Sequence, residues 1–77
     1  MSVIVYSKPH CPECNVLKRF LRDYQIDFVV RDLSKNPKYI DEVKSMGFLG
    51  VPVTVIKGKA IPGLQPDAIL AMLGRRY

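Results

Sequence analysis

Tryptophan is absent, and cysteine and histidine are scarce, with two Cys and one His in 77 residues. A secreted domain this small normally carries four or more cysteines as a disulfide framework, so a stapled scaffold is not expected. The two cysteines also stand too close together, as Cys11 and Cys14, for loop-closure entropy to make their bridge much of a staple. No apolar run approaches the 18 or so residues that span a bilayer. The opening stretch MSVIVYSK turns polar too soon for a secretory signal, so a cytoplasmic location is expected. Internal repeats, low-complexity stretches and linkers are missing too, and residues 1–77 are expected to form one domain, a monomer.

Acidic residues are the minority, 7 against 12 basic ones, for a net charge of +5. Such a charge favours acidic partners. The basic residues are scattered, however, with doublets only at Lys18-Arg19 and Arg75-Arg76. Neither zinc-finger spacing nor an aromatic base-stacking motif accompanies them. Nucleic acid and membrane are therefore not expected as partners. The charge reads as a solvated surface with some preference for an acidic protein, and Arg75, Arg76 and Tyr77 as an exposed tail.

What is present has a clear order. The β-branched run from Val3 to Tyr6 predicts a buried strand. From Pro12 to about Tyr24, Val16, Leu17, Phe20, Leu21 and Tyr24 recur at helical spacing. Ile26 to Leu33 predicts a second strand. A second helix is predicted from Pro37 to about Met46, with Ile40, Val43 and Met46 on one face and Gly47 as its stop. Pro52 to Ile56 predicts a third strand, Lys57-Gly58 a turn, and Lys59 to Ile61 a fourth. A last helix starts at Pro66 and presents Ile69, Leu70 and Leu73. The order β-α-β-α-β-β-α implies a right-handed βαβ crossover, then a hairpin, in a four-stranded mixed sheet with helices on both faces.

Each predicted helix has proline at its first position: Pro12, Pro37 and Pro66. Proline suits that place because its missing N–H would have no intrahelical partner there. The rule makes Cys11 the N-cap of the first helix and Cys14 its third residue. A sulfur at a helix N-cap faces unpaired N–H groups and the positive end of the dipole. That setting favours the thiolate, the form that attacks disulfides. Lys8 adds positive charge nearby, while the Glu13 carboxylate works against ionisation. A depressed but not extreme pKa is expected for Cys11. Cys14, one turn inward, is expected to be more buried and to resolve the mixed disulfide formed at Cys11.

Metal binding is the competing use of such a pair. A mononuclear tetrahedral site needs four ligands, and only Cys11, Cys14 and His10 are at hand, so no metal site within one chain is expected. A metal or iron–sulfur group shared across a dimer stays open. A Cys-x-x-Cys beside a βαβ pattern is the signature of thiol–disulfide exchange. Val51-Pro52 adds to it. A cis bond there would turn the start of the third strand toward the cysteine loop and free the Val51 backbone to pair with an extended substrate. An ordinary trans proline at a strand start is the alternative.

YSKPHCPEC, then VPVTV, then a Gly-containing turn before the last helix, together resemble the glutaredoxin family of thioredoxin-like fold over essentially the whole chain. The resemblance implies that Cys11 is the nucleophile, Cys14 the resolving cysteine and Pro52 cis. It implies further that Tyr6, Lys8, Pro12, Glu13, Val51, Pro52 and Gly63 border the site or meet the partner. Two branches fit. Glutathione-dependent glutaredoxins usually have an aromatic residue where Glu13 stands. Before the last helix they carry Gly-Gly and then an Asp-Asp pair that hold the tripeptide. Here that segment is IPGLQPD: Pro62 replaces the first glycine, and Gln65 and Pro66 replace the acidic pair. The NrdH-type redoxins, which take electrons from thioredoxin reductase and pass them to ribonucleotide reductase, usually read Trp-Ser-Gly-Phe-Arg-Pro-Asp. This chain is similar at Gly63, Pro66 and Asp67 and in Met46-Gly47-Phe48, and departs at Ile61, Leu64 and Gln65.

The function expected is a dithiol–disulfide oxidoreductase of the NrdH type without a bound cofactor, with a glutathione-dependent glutaredoxin as the alternative. Its potential is bracketed by those of thioredoxin and the glutaredoxins, about −270 to −200 mV. Two roles each stay open for Tyr6 and Lys8: bordering the site, or ordinary packing and solvation. Phe48 and Leu49 offer either a partner patch or core packing. Asp67 is read as favouring the start of the last helix, and Asp23, Asp27 and Glu42 as forming no paired arrangement for acid–base work.

Overall fold

The computed structural model describes residues 3–74; the tail expected at Arg75–Tyr77 lies outside them. The elements follow the predicted order: β1 (Val3–Ser7), α1 (Pro12–Asp23), β2 (Val29–Asp32), α2 (Pro37–Ser45), β3 (Val53–Ile56), β4 (Lys59–Pro62) and α3 (Pro66–Met72). The strands form one sheet in the order β2-β1-β3-β4. β1 runs parallel to β2 and antiparallel to β3, and β3 pairs antiparallel with β4. The two residues of the hairpin, Lys57 and Gly58, both have positive φ, 53° and 76°, as the twist of a two-residue turn requires.

Alternation along the strands divides the core. Val3 and Val5 of β1, Ile56 of β3 and Ile61 of β4 meet Leu17 and Leu21 of α1 and Ile69 and Leu70 of α3. Tyr6 and Val53 turn the other way, onto Val43 of α2. Helices thus cover both faces. Among the described residues, no helix is long and apolar enough to cross a membrane.

Several boundaries and faces differ from expectation. β2 starts at Val29, not Ile26, because the Ile26 N–H bonds back to the Leu21 carbonyl at 2.9 Å and closes α1 instead. Val29 and Val30 are exposed on an edge strand. Val16 is also exposed: it lies about 100° round the helix from Leu17, on the side away from Cys14 and Leu21. Ile40 is exposed as well, since α2 buries Val43 and packs Tyr39 and Met46 beside it. β1 runs one residue beyond the predicted strand, to Ser7, and β4 one beyond, to Pro62.

α1 and α2 end in the same way. After α2, Gly47 (φ 89°) donates to the Lys44 carbonyl and Phe48 to that of Val43. After α1, Gln25 (φ 56°) donates to the Arg22 carbonyl and Ile26 to that of Leu21. This is the paired-bond stop with a left-handed residue just past the helix.

Candidate active site

The site grows from the end of β1. Three exposed residues, Lys8, Pro9 and His10, carry the chain from Ser7 to α1, with His10 in the left-handed region at φ 59°. Cys11 follows as the extended N-cap and Pro12 opens the helix. The Cys11 Sγ accepts the Cys14 N–H at 3.3 Å. The Cys11 carbonyl accepts the Asn15 N–H at 3.1 Å, the first regular helical bond. Cys11 and Cys14 are joined as a disulfide with Cα atoms 5.2 Å apart. Cys11 is 6% exposed and Cys14 0%, so the N-terminal cysteine is the less buried of the two. Pro12 and Glu13, between them, are exposed.

β3 supplies the opposite wall. Tyr6 pairs with Val53, so Val51 and Pro52 lead into β3 at the end of β1 from which the cysteine loop leaves. The Val51–Pro52 bond is cis, and Pro52 is buried. The Pro52 carbonyl accepts the Gly63 N–H at 2.8 Å, which brings the segment before α3 alongside. Gly63 has φ 76°, a conformation that glycine adopts without steric cost. Within that segment the Gln65 side-chain amide donates to the Pro62 carbonyl. Gln65 is the N-cap of α3 without a side-chain capping bond, Pro66 takes the first helical position, and Asp67 lies in the first turn.

Tyr6 is committed elsewhere. Its ring is buried on the α2 side, and its hydroxyl donates to Glu42 Oε1 at 2.6 Å and accepts from Arg31 at 2.9 Å. Arg31 also reaches Glu42 at 2.8 Å and lies over the rings of Tyr6 and Tyr39. Burial, then the Glu42 bond, pushes the Tyr6 hydroxyl above its ordinary value. The Tyr6 hydroxyl, joined by Arg31, holds the Glu42 carboxyl below its own. Glu42, read as outside any acid–base pair, is the hub of a three-element cluster. Only the register of β1 against β2 reveals it, because Tyr6 and Arg31 are partners in that ladder.

Phe48 packs against the α2-side core. Leu49, next to it, is 97% exposed in the loop leading to Pro52. Among the described residues no group of three His, Cys, Asp or Glu could hold a metal.

The glutaredoxin family model matches residues 3–61. A glutaredoxin-like protein NrdH of Lactococcus lactis is 31% identical over 87% of this chain and 93% of its own. An uncharacterised glutaredoxin-like protein encoded in a rubredoxin operon of Clostridium pasteurianum is 38% identical over 84% of this chain and 88% of its own. The solved structure of the NrdH-redoxin of Escherichia coli superposes with a TM-score of 0.86 at 24% identity, covering 92% of this chain and 93% of that one, a likeness of fold. A thioredoxin-like sheet with a Cys-x-x-Cys pair at the head of its first helix defines a thiol–disulfide oxidoreductase. The chain belongs to the glutaredoxin family, as an NrdH-like member of it.

Proposed function

We propose that the chain is a cytoplasmic electron carrier that takes electrons from thioredoxin reductase and passes them to protein disulfides, that of ribonucleotide reductase among them. The observation that carries the exchange chemistry is the Cys11 sulfur at a helix N-cap, bonded by the Cys14 N–H and less buried than Cys14. In the reduced protein the Cys11 thiolate attacks a target disulfide. One target sulfur leaves with the electron pair of the broken bond, and a mixed disulfide forms. Cys14 then attacks Cys11 and releases the second target sulfur, so the target gains two electrons and Cys11–Cys14 is oxidised. Pro12 presets the first turn. Lys8 and Glu13 flank the nucleophile, and Val51, Pro52 and Gly63 border the groove in which an extended substrate lies. Tyr6 supports the end of β1 from the other side of the sheet.

The choice of donor rests on the segment before α3. Pro66 has no N–H to offer, and the Gln65 amide is turned to the Pro62 carbonyl. This leaves little to grip the charged ends of a tripeptide. NADPH oxidation with a disulfide substrate tests this, driven in parallel by thioredoxin reductase and by glutathione with glutathione reductase. Turnover with thioredoxin reductase alone is expected; turnover with glutathione alone would overturn the choice of donor. Cys11→Ser is expected to abolish turnover, and Cys14→Ser to accumulate mixed disulfides with protein targets, read by non-reducing electrophoresis. Full dithiol activity in Cys11→Ser would refute the mechanism.

A further inference from the structure

Thr54 has no evident job in the oxidised core. It is 0% exposed, and its hydroxyl oxygen is buried without a hydrogen-bond partner. Leaving such a group unpaired is costly, so each case calls for an explanation. Thr54 pairs with Val5 on one side and Ile61 on the other, and both belong to the core that Leu17 and Leu21 of α1 and Ile69 and Leu70 of α3 complete. Its side chain therefore joins the face that α1 and α3 cover. Ser7, the other buried polar residue among those described, stands two positions beyond Val5 on the same face, nearer the site.

α1 meets this face through the stripe Cys14, Leu17 and Leu21, all fully buried. The helix starts from the end of β1 at which β3 begins. Cys14 thus lies toward the end of the face that holds Ser7, with Thr54 one step further in beside Val5, and Leu21 toward the end that holds Val3 and Ile56. Reduction changes what this layer must satisfy. A dithiol donor gives up two electrons and two protons and closes into its own disulfide. The Cys11–Cys14 bond breaks and both sulfurs become thiols. Cys11 keeps its place at the helix N-cap. Cys14 acquires a proton, or a negative charge when it attacks, in a layer otherwise built from hydrocarbon and two hydroxyls.

We infer that Thr54 is the polar partner of the Cys14 sulfur once the disulfide opens, accepting from the thiol and donating to the thiolate. The hydroxyl is unpartnered in the oxidised form because its partner exists only in the reduced one. Thr54 then favours the reduced protein, makes the pair easier to reduce and helps Cys14 to resolve mixed disulfides. This deepens the proposed function and rests on Cys14 being the resolving cysteine.

The test is equilibration of the protein with dithiothreitol buffers, reading the reduced fraction by thiol alkylation and mass. Thr54→Val keeps the shape and removes the hydroxyl; its equilibrium constant for reduction is expected to fall by about three- to tenfold. Thr54→Ser keeps the hydroxyl and is expected to match the wild type. Oxidised Thr54→Val is expected to withstand at least as much denaturant as the oxidised wild type, which separates a redox effect from a packing defect. Equal reduction of Thr54→Val and wild type would overturn the inference, and so would a shift as large in Thr54→Ser as in Thr54→Val. If the wild type itself forms no Cys11–Cys14 disulfide in these buffers, the dithiol reading fails first and the inference with it.

Discussion

Glu42 is the residue that most changes meaning between sequence and structure. Its carboxylate accepts from Tyr6 and from Arg31, which ties α2 to β1 and β2. The interaction holds its folded-state pKa below the ordinary 4.5. A depressed carboxylate contributes stability that is present above the unfolded value and lost as pH falls through the folded one. Between about pH 6 and pH 3, urea denaturation is therefore expected to show a steeper loss for the wild type than for Glu42→Gln. Parallel acid limbs would remove Glu42 from the account. At the same scale, Cys11 as N-cap was readable from Pro12 alone, because a cap is decided within four residues. The Tyr6–Arg31–Glu42 cluster was not, since its members are 25 and 11 residues apart and meet only through strand register. Thr54 is equally silent in the sequence, where PVTVI reads as any buried strand.

At the scale of the elements, the two similar helix ends make a comparison. α2 stops on Gly47 and α1 on Gln25, both left-handed. A side chain in that region costs roughly 1–2 kcal/mol, part of which glycine returns as entropy of the unfolded chain. Gln25→Gly is therefore expected to stabilise by about 1 kcal/mol in urea denaturation, while Gly47→Ala destabilises by a similar amount. A neutral or destabilising Gln25→Gly would mean that the Gln25 side chain does something the backbone does not reveal. Element types and order were readable because proline marks all three helix starts and Lys57-Gly58 the hairpin. The start of β2 was not: Ile26 and Phe28 have strand-like composition, but Ile26 is claimed by the end of α1. The apolar faces were drawn too wide at Val16 and Ile40, because α1 and α2 each meet the sheet along a narrow stripe.

At the scale of the whole molecule, an exposed side chain beside the site is expected to matter to a large substrate and not to a small one. Leu49 stands almost wholly in water, two residues before Val51, and an exposed leucine there adds nothing to the core. Leu49→Asp is expected to leave stability within about 0.5 kcal/mol. It is expected to raise KM severalfold for a protein disulfide while leaving turnover of a small disulfide unchanged. Equal KM values for the protein substrate would place its docking elsewhere.

β1 is the first of the seven elements among the described residues and yet lies in the middle of the sheet, between β2 and β3. On the ribosome its apolar run emerges before either neighbour exists. β3 follows some fifty residues later, a wait of roughly 3–10 seconds at about 5–20 residues per second. Throughout that interval the strand that will hold Val5 in the dry centre has an open edge. A nascent chain halted before Val53 has no antiparallel neighbour for β1 and no wall opposite its cysteines. Such a fragment is a client for chaperones and proteases.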